Sequence, residues 1–181
     1  MPGILRTLSL WFLSGKSKKI TREPLMKGYN DAKRVAILFE INSPDEIIKA
    51  GEIENNLIGQ SKEIFKVFYI ARKKFTGLIE NSENTLVLTK KRLNLIQIPA
   101  NHILMKLQSQ HFDYMIDLSL SDCIPLIATA VLSGAKMITG RRSKIKEQYY
   151  DFMIDFQGND DSEFHHYMLL YLKTINPHHN E

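Results

Sequence analysis

The chain has 181 residues, of which 44% are hydrophobic and 24% charged, an ordinary composition for one globular domain with a sizeable core. Its single cysteine, Cys123, excludes an intramolecular disulfide framework and a cysteine-rich zinc site. No apolar run reaches the roughly 18 to 20 residues of a membrane span, and the run from Ile4 to Leu13 lacks the charge order and cleavage site of a signal peptide. We therefore expect a cytoplasmic protein, with or without peripheral contact to the inner face of the membrane.

The positive charge is concentrated at the N-terminus. Residues 1–34 hold eight basic and two acidic side chains, a net charge of +6, whereas the whole chain carries +4 and the remainder therefore −2. We divide the chain into a basic, amphipathic N-terminal arm at residues 1–30, a single α/β domain at 31–176 and a tail at 177–181.

The arm combines an apolar segment with a basic one. From Ile4 to Leu13, apolar residues recur at three- and four-residue spacing, which predicts a short amphipathic helix. A basic stretch from Lys16 to Lys27 follows, and its glycine and proline breakers favour an extended connector.

The first half of the domain predicts strands alternating with a helix. Ser43 is a natural N-cap, Pro44 suits the first helical turn, and Glu46 occupies the capping-box position. The β-branched and aromatic runs on either side favour strands. The predicted elements are strands at 34–41, 64–70 and 85–88, a helix at 44–61 and a helical turn at 89–94.

A near-repeat marks the second half, where Asp113 to Leu118 returns as Asp151 to Phe156. Each copy is an apolar run bracketed by acidic residues, which is typical of a strand buried on both faces of a parallel sheet. The other predicted elements are a helix capped within 119–122 and ending at 132, a strand at 135–140, and a helix from 160 or 161 to about 175.

Strands that alternate with helices predict an α/β three-layer sandwich with a mostly parallel, roughly five-stranded Rossmann-like or flavodoxin-like sheet. We expect the two near-repeat copies to form neighbouring strands of that sheet. In such folds ligands bind beyond the carboxyl ends of the strands, where the strand order reverses. The segments predicted to meet at this edge are 40–43, 117–121, 140–143 and 155–158.

Several polar side chains at this edge are candidate ligand-binding residues. A carboxylate pair could bind a metal or act as acid and base, serines at a helix start could bind phosphate, and arginines after a strand could clamp a small anionic ligand. The alternatives are strand termination, helix capping and a solvated basic loop. The candidates are Asp117, Ser119, Ser121, Arg141, Arg142 and Asp155.

Other features of the chain favour neither a metal nor a cofactor. The pairs His165-His166 and His178-His179 lack the spacing and carboxylate partner of a metal site. No P-loop or G-x-G-x-x-G pattern occurs. Cys123 lies among apolar residues, which favours a small buried side chain over a reactive thiol.

The arm predicts an interaction surface. Basic residues beside an apolar, tryptophan-containing segment could dock on an anionic membrane surface, or could bind RNA phosphates without sequence preference. The alternative is a helix that packs on the domain or on a second subunit. The residues assigned to surface binding are Trp11, Lys16, Lys18, Lys19 and Arg22; sequence-specific DNA binding is not expected.

Four stretches resemble a family of small, uncharacterised bacterial proteins classed as a domain of unknown function: 34–40, 112–126, 133–140 and 150–155. The resemblance spans roughly residues 30–175 and implies an α/β fold without a known activity. A second, local resemblance at 115–118 and 135–140 is to the N-terminal half of heptosyltransferase-like glycosyltransferases. Those enzymes bind the nucleotide-sugar donor mainly through a second Rossmann-like domain, for which this chain has no room.

We therefore predict an α/β domain that acts as a binding or interaction module, with a basic arm that engages a membrane or RNA. The alternative is a reduced glycosyltransferase-like enzyme, or a nucleotide-sugar-binding protein, that uses the carboxyl edge of the sheet. Whether the protein is an enzyme is left open by the sequence.

Overall fold

The computed structural model describes residues 2–18, 20, 22, 28–58 and 62–175. Within these residues, six strands alternate with five α-helices. The strands are β1 (Arg34–Ile41), β2 (Glu63–Ile70), β3 (Thr85–Thr89), β4 (Tyr114–Asp117), β5 (Met137–Arg141) and β6 (Phe152–Ile154). The helices are α1 (Pro2–Ser17), α2 (Asp45–Ile58), α3 (Asn101–Gln108), α4 (Ile124–Leu132) and α5 (Asp161–Thr174).

All six strands pair in parallel in the order β3-β2-β1-β4-β5-β6. This is the strand order of a Rossmann-like, doubly wound sheet, and it differs from the flavodoxin-like order. The predicted α/β class and parallel sheet are confirmed, with six strands where roughly five were expected. The prediction that the two near-repeat copies form neighbouring strands is wrong, because β5 lies hydrogen-bonded between β4 and β6.

Alternating side chains of the central strands pack into two separate hydrophobic cores, one on each face of the sheet. Along β1, Ala36 and Leu38 pack on the side of α1, α3 and α4, whereas Val35, Ile37 and Phe39 pack on the side of α2 and α5. This alternation follows from the two-residue period of a strand. The result is the predicted three-layer arrangement.

Helix α3 was not predicted from the sequence. It has eight residues, and Ala100 at its N-cap position makes no side-chain hydrogen bond. The apolar residues Ile103, Leu104 and Leu107 nevertheless pack into the core. A short helix without a capping side chain gives little local signal, so its stability comes from tertiary packing.

Helix α1 is longer than predicted and packs on the domain. It continues to Ser17, so the start of the predicted connector is helical. Leu13 is fully buried and joins the core that contains α4. The hydroxyl group of Ser9 donates to the carbonyl oxygens of Leu5 (2.7 Å) and Ile96 (2.8 Å). The division between arm and domain at residue 30 stays a prediction.

Candidate functional site

A crevice lies where the strand order reverses, between the carboxyl ends of β1 and β4. In an open parallel sheet the connections from these two strands lead to opposite faces, so the edge is left open there. The crevice has a volume of about 130 Å³. Its lining residues come from the ends of β1 and β4 and the first turns of α2 and α5: Phe39, Glu40, Ile41, Asn42, Glu46, Lys49, Leu118, Ser119, Leu120, Ser121, Asp161 and His165.

Glu40 joins the two sides of the crevice. Its Oε2 accepts a hydrogen bond of 2.5 Å from the hydroxyl group of Ser121. Burial raises the pKa of Glu40, and the nearby carboxylates of Asp117 and Glu46 raise it further, against the lowering effects of Ser121 and Lys146. A carboxylate in this setting is stabilised by any added hydrogen-bond donor or positive charge.

His165 forms part of the wall of the crevice and is 7% exposed. Its Nε2 lies 3.0 Å from the carbonyl oxygen of Leu118. Because a carbonyl oxygen only accepts, Nε2 carries the proton, and Nδ1 of the neutral ring is an acceptor. Nδ1 is buried and has no hydrogen-bond partner within the described residues.

We expect His165 to make the stability of the protein depend on pH. Burial lowers the pKa of His165 below its ordinary value of 6.5. The unfolded chain therefore binds a proton that the folded chain resists, and the free energy of unfolding falls as the pH drops below about 6.5. Urea unfolding between about pH 5 and 8 should show a slope that His165→Gln reduces and the exposed-site control His166→Gln leaves unchanged. An unaltered slope in His165→Gln would contradict this assignment.

Beside the crevice, Asp117 is the centre of a fully buried polar cluster. Its Oδ2 lies 2.9 Å from Nζ of Lys146 and accepts a 2.6 Å hydrogen bond from the hydroxyl group of Tyr150. Its Oδ1 accepts from the backbone N–H (3.0 Å) and the hydroxyl group (2.6 Å) of Ser119. Asp117, Lys146 and Tyr150 are 0, 1 and 6% exposed.

The other groups of this cluster are also satisfied. Lys146 Nζ donates to the carbonyl oxygen and the hydroxyl group of Ser119, at 3.3 and 3.4 Å. Burial raises the pKa of Tyr150 well above its ordinary value, with Asp117 adding to the effect, so the phenol keeps the proton that it donates. The cluster therefore fixes the loop after β4, which forms one side of the crevice.

The two predicted carboxylates are not brought together. Asp117 is buried in β4, whereas Asp155 is exposed beyond β6 and accepts a 2.6 Å hydrogen bond from Gln157. One strand, β5, lies between them. Their predicted role in ligand binding stays a prediction.

The predicted arginines lie on the loop after β5. Arg141 donates through Nε to the carbonyl oxygen of Phe156 (2.9 Å) and through Nη1 to that of Leu120 (2.7 Å). Arg142 is exposed and donates to Glu147 at 2.7 Å. Both line a second, shallow pocket of about 180 Å³ with Leu120, Asp122, Ser143 and Lys146. Anion binding there stays a prediction. Through its two hydrogen bonds Arg141 connects its own loop to the loops that carry Leu120 and Phe156.

The predicted arm residues occupy different environments. Trp11 is 76% exposed, whereas Lys16 is half-buried and lies 5.2 Å from the centre of the Phe12 ring. Arg22 is held against the domain by an ion pair of 2.5 Å with Asp151. Lys18 is exposed, and Lys19 lies outside the described residues.

Three side chains at this edge were missed from the sequence: Lys146, Tyr150 and His165. The sequence does indicate that His165 is buried, because it lies with Phe164 and Met168 on the apolar side of α5. Lys146 and Tyr150 also share a face of one turn, since they are four residues apart. Their pairing with Asp117 depends on the tertiary fold.

Within the described ranges, no group of three or more histidine, cysteine or acidic side chains is placed to hold a metal ion. None of the described helices is long and apolar enough to cross a membrane. Cys123 is buried at the N-cap position of α4, and burial raises the pKa of its thiol.

The strand order and the crevice at its reversal point define a Rossmann-like α/β domain. The chain belongs to a family of unknown function (DUF6913), whose model matches residues 9–175. No match was found among the curated proteins.

A similar solved structure is a glycosyl transferase family 9 protein from Veillonella parvula, with 14% sequence identity and a TM-score of 0.51. The similarity covers 84% of this chain and 44% of that one, so the chain spans less than half the length of that protein. At this identity the likeness shows the fold alone.

Proposed function

We propose that this protein is a binding module that docks on an anionic membrane surface through the outer face of α1. The observation that carries the proposal is an uncovered apolar stripe on a helix whose opposite face is packed. Ile4, Leu8 and Trp11 follow one another at four- and three-residue spacing and are 69, 47 and 76% exposed. An exposed row of large apolar side chains is typical of a docking surface.

A fourth exposed apolar side chain lies on a loop that contacts α1. Leu95 is 92% exposed. It precedes Ile96, whose carbonyl oxygen accepts the hydrogen bond from Ser9 of α1, so the loop lies beside the helix. We call the set Ile4, Leu8, Trp11 and Leu95 the docking surface.

Basic side chains belong to the same segments of the chain as the docking surface. Lys16 lies in the last turn of α1, Lys18 directly follows the helix, and the exposed Lys90 and Lys91 precede the loop that carries Leu95. Arg6 also lies on α1, where it pairs with Asp122 at 3.1 Å. Each lysine or arginine near an anionic lipid surface contributes about 1 kcal/mol to binding.

This combination favours a membrane over RNA. Tryptophan and aliphatic side chains partition into the interfacial region of a bilayer while lysines contact the lipid phosphates. RNA would neutralise the lysines, and bases could stack on Trp11, but Ile4 and Leu8 would stay in water.

Cosedimentation with vesicles tests the proposal. We expect binding to vesicles that contain phosphatidylserine, with weak binding to pure phosphatidylcholine. Trp11→Glu should lower the affinity by about tenfold or more, because it removes a side chain whose burial contributes roughly 1.5–3 kcal/mol and adds a repelled charge. The matched control is Ile48→Glu on α2, where Ile48 is 65% exposed on the other side of the sheet.

Three outcomes would contradict membrane docking: equal binding to both kinds of vesicle, equal loss of binding in the two variants, or binding to single-stranded RNA in place of vesicles. A dimer that buries Trp11 in solution would also contradict it, because a second copy would then cover the docking surface.

A second candidate function is nucleotide-sugar binding at the carboxyl edge, and the likeness to a glycosyltransferase fold favours it. Thermal-shift measurements against a panel of nucleotides and nucleotide sugars test this candidate. A stabilising ligand whose effect is lost in Arg141→Ala would support it. No shift across the panel would count against it.

A further inference from the structure

The loops that follow β2 and β3 begin side by side at the carboxyl edge of the sheet. The register of these parallel strands pairs their last residues, Ile70 and Thr89. Each strand leads into a short 3₁₀ turn, at Lys73–Phe75 after β2 and at Lys90–Arg92 after β3. Because neighbouring strands lie about 4.8 Å apart, the two turns are adjacent.

Both turns are rich in basic side chains. Together with the residue before the first turn they carry six, five of which are exposed, and we call this set the basic face: Arg72, Lys73, Lys74, Lys90, Lys91 and Arg92. None of the six forms an ion pair with an acidic side chain of the described residues. A hydrogen bond of 2.8 Å from Nη1 of Arg92 to Oδ1 of Asn81 joins the two loops.

The positive charge of this face contrasts with the rest of the domain. Residues 71–95 hold six basic and two acidic side chains, a net charge of +4. The whole chain also carries +4 and residues 1–34 carry +6, so the remaining residues carry −6. Like charges on two adjacent turns repel one another, and an anionic partner would remove that repulsion. The basic face is therefore suited to binding a negatively charged surface.

Two exposed leucines on the same loops indicate which anionic surface fits. Leu78 is 52% exposed and Leu95 is 92% exposed. The only aromatic residue between 71 and 95 is Phe75, which is 8% exposed. Single-stranded nucleic acids bind where bases can stack on exposed aromatic rings, and these loops offer none. Leucines beside lysines suit the interfacial region of a bilayer, where apolar side chains enter and lysines contact lipid phosphates.

The basic face is joined to the docking surface, because Leu95 lies on the loop after β3. Ser9 of α1 donates to the carbonyl oxygen of Ile96 at 2.8 Å and so connects this loop to the helix. The loop is held in shape by Asn94, whose Oδ1 accepts from the backbone N–H groups of Ile96 (3.1 Å) and Ile98 (3.0 Å). A membrane that contacts the loop at Leu95 is therefore within reach of the basic residues that precede it.

We propose that the basic face binds the phosphate groups of anionic lipids and gives membrane docking its preference for them. The proposal rests on docking through α1, whose apolar stripe supplies the contact with the bilayer interior. Clusters of about four to eight basic residues are typical of sites that bind anionic lipids. Lys16 and Lys18 at the end of α1 add two charges, so the six of the basic face are the larger electrostatic contribution.

Vesicle binding by two charge-reversal variants tests the proposal. Lys73→Glu/Lys91→Glu changes one exposed lysine in each turn and should lower the affinity for phosphatidylserine vesicles at least about tenfold, because two attracted charges become repelled ones. The matched control, Lys144→Glu/Lys173→Glu, makes the same change in net charge at exposed positions on the loop after β5 and on α5. It should lower the affinity by less than about threefold, because exposed charges more than about 10 Å from the contact are largely screened. The melting temperature of each variant shows that it is folded.

The outcomes separate the basic face from docking through α1. If Trp11→Glu weakens vesicle binding and Lys73→Glu/Lys91→Glu does not, the basic face is overturned and docking through α1 stands. Equal losses in the two double variants would also overturn it, because binding would then follow the overall charge of the protein. Tighter binding to RNA than to vesicles, lost in Lys73→Glu/Lys91→Glu, would assign the face to a nucleic acid. No binding of the unaltered protein to phosphatidylserine vesicles would overturn both proposals.

Discussion

Replacing Lys146 with alanine is expected to lower the free energy of unfolding by about 3–5 kcal/mol. Lys146 is 1% exposed and pairs with the fully buried Asp117 at 2.9 Å. Without the ammonium group, the carboxylate of Asp117 stays buried with only Tyr150 and Ser119 as partners. The loss is large because an uncompensated buried charge costs more than the ion pair contributes.

Urea unfolding of four variants measures this effect: Lys146→Ala, Lys144→Ala, Asp117→Asn and the double variant Asp117→Asn/Lys146→Ala. Lys144→Ala is the matched control, since Lys144 is exposed on the same loop and should change stability by less than about 0.5 kcal/mol. Adding Asp117→Asn to Lys146→Ala should cost less than the sum of the single effects, by about 0.5–3 kcal/mol, because the two residues interact directly. A Lys146→Ala protein as stable as Lys144→Ala would show that the buried pair does not form.

The second large effect is expected at Gly140, which pairs with Asp117 across β4 and β5. A Cβ atom at this position would lie 2.7 Å from Cε2 and 3.1 Å from Cδ2 of Tyr150, and 3.2 Å from the carbonyl oxygen of Asp117. The ring cannot move away without breaking its 2.6 Å hydrogen bond to the Asp117 carboxylate. Gly140→Ala should therefore destabilise the fold by about 1–3 kcal/mol.

Gly51→Ala is the matched control for this substitution. Gly51 lies within α2, and a Cβ atom there would meet no atom within 4 Å. Alanine should stabilise the helix by about 0.5–1 kcal/mol relative to glycine. Thermal unfolding that gives the same sign for both substitutions would contradict the close packing of Tyr150 on Gly140.

Most strands and the last helix could be predicted because their signals are local. The β-branched and aromatic run of β1 and the alternation of strands with helices gave the α/β class. For α5, Asp160 was one of two predicted starting residues, and its side chain does cap the helix by accepting from the N–H groups of Ser162 and Glu163. Capping and periodicity involve residues close in sequence, so they can be seen before the fold is known.

The order of the strands in the sheet could not be predicted from local sequence signals. The near-repeat favoured neighbouring strands because its copies are alike, yet β5 lies between them. The proximal acids of the copies also differ in their partners. Asp113 binds Lys136 at 2.8 Å, whereas Asp151 binds Arg22 at 2.5 Å. The similar sequences therefore predicted two similar strands, but they did not predict where those strands lie in the sheet.

The sequence could indicate which strand ends meet at the carboxyl edge, but not which distant side chains join them there. Asp117 and Ser121 were expected at the carboxyl edge and lie there. The polar contacts at that edge join residues that are far apart in the sequence. Lys146 pairs with Asp117, which is 29 residues away, and His165 contacts Leu118, which is 47 residues away. Such pairings follow from the crossover connections and carry no local signal.

The fluorescence of Trp11 tests the central claim, docking through α1, most directly. Trp11 is the only tryptophan in the chain and is 76% exposed, so its emission reports on the docking surface alone. Vesicles that contain phosphatidylserine should shift the emission to shorter wavelength and increase its intensity, and about 0.5 M salt should reduce the shift by screening the lysines. Pure phosphatidylcholine vesicles should have little effect. Emission that stays unchanged with anionic vesicles, or that shifts with protein concentration in the absence of lipid, would contradict the claim.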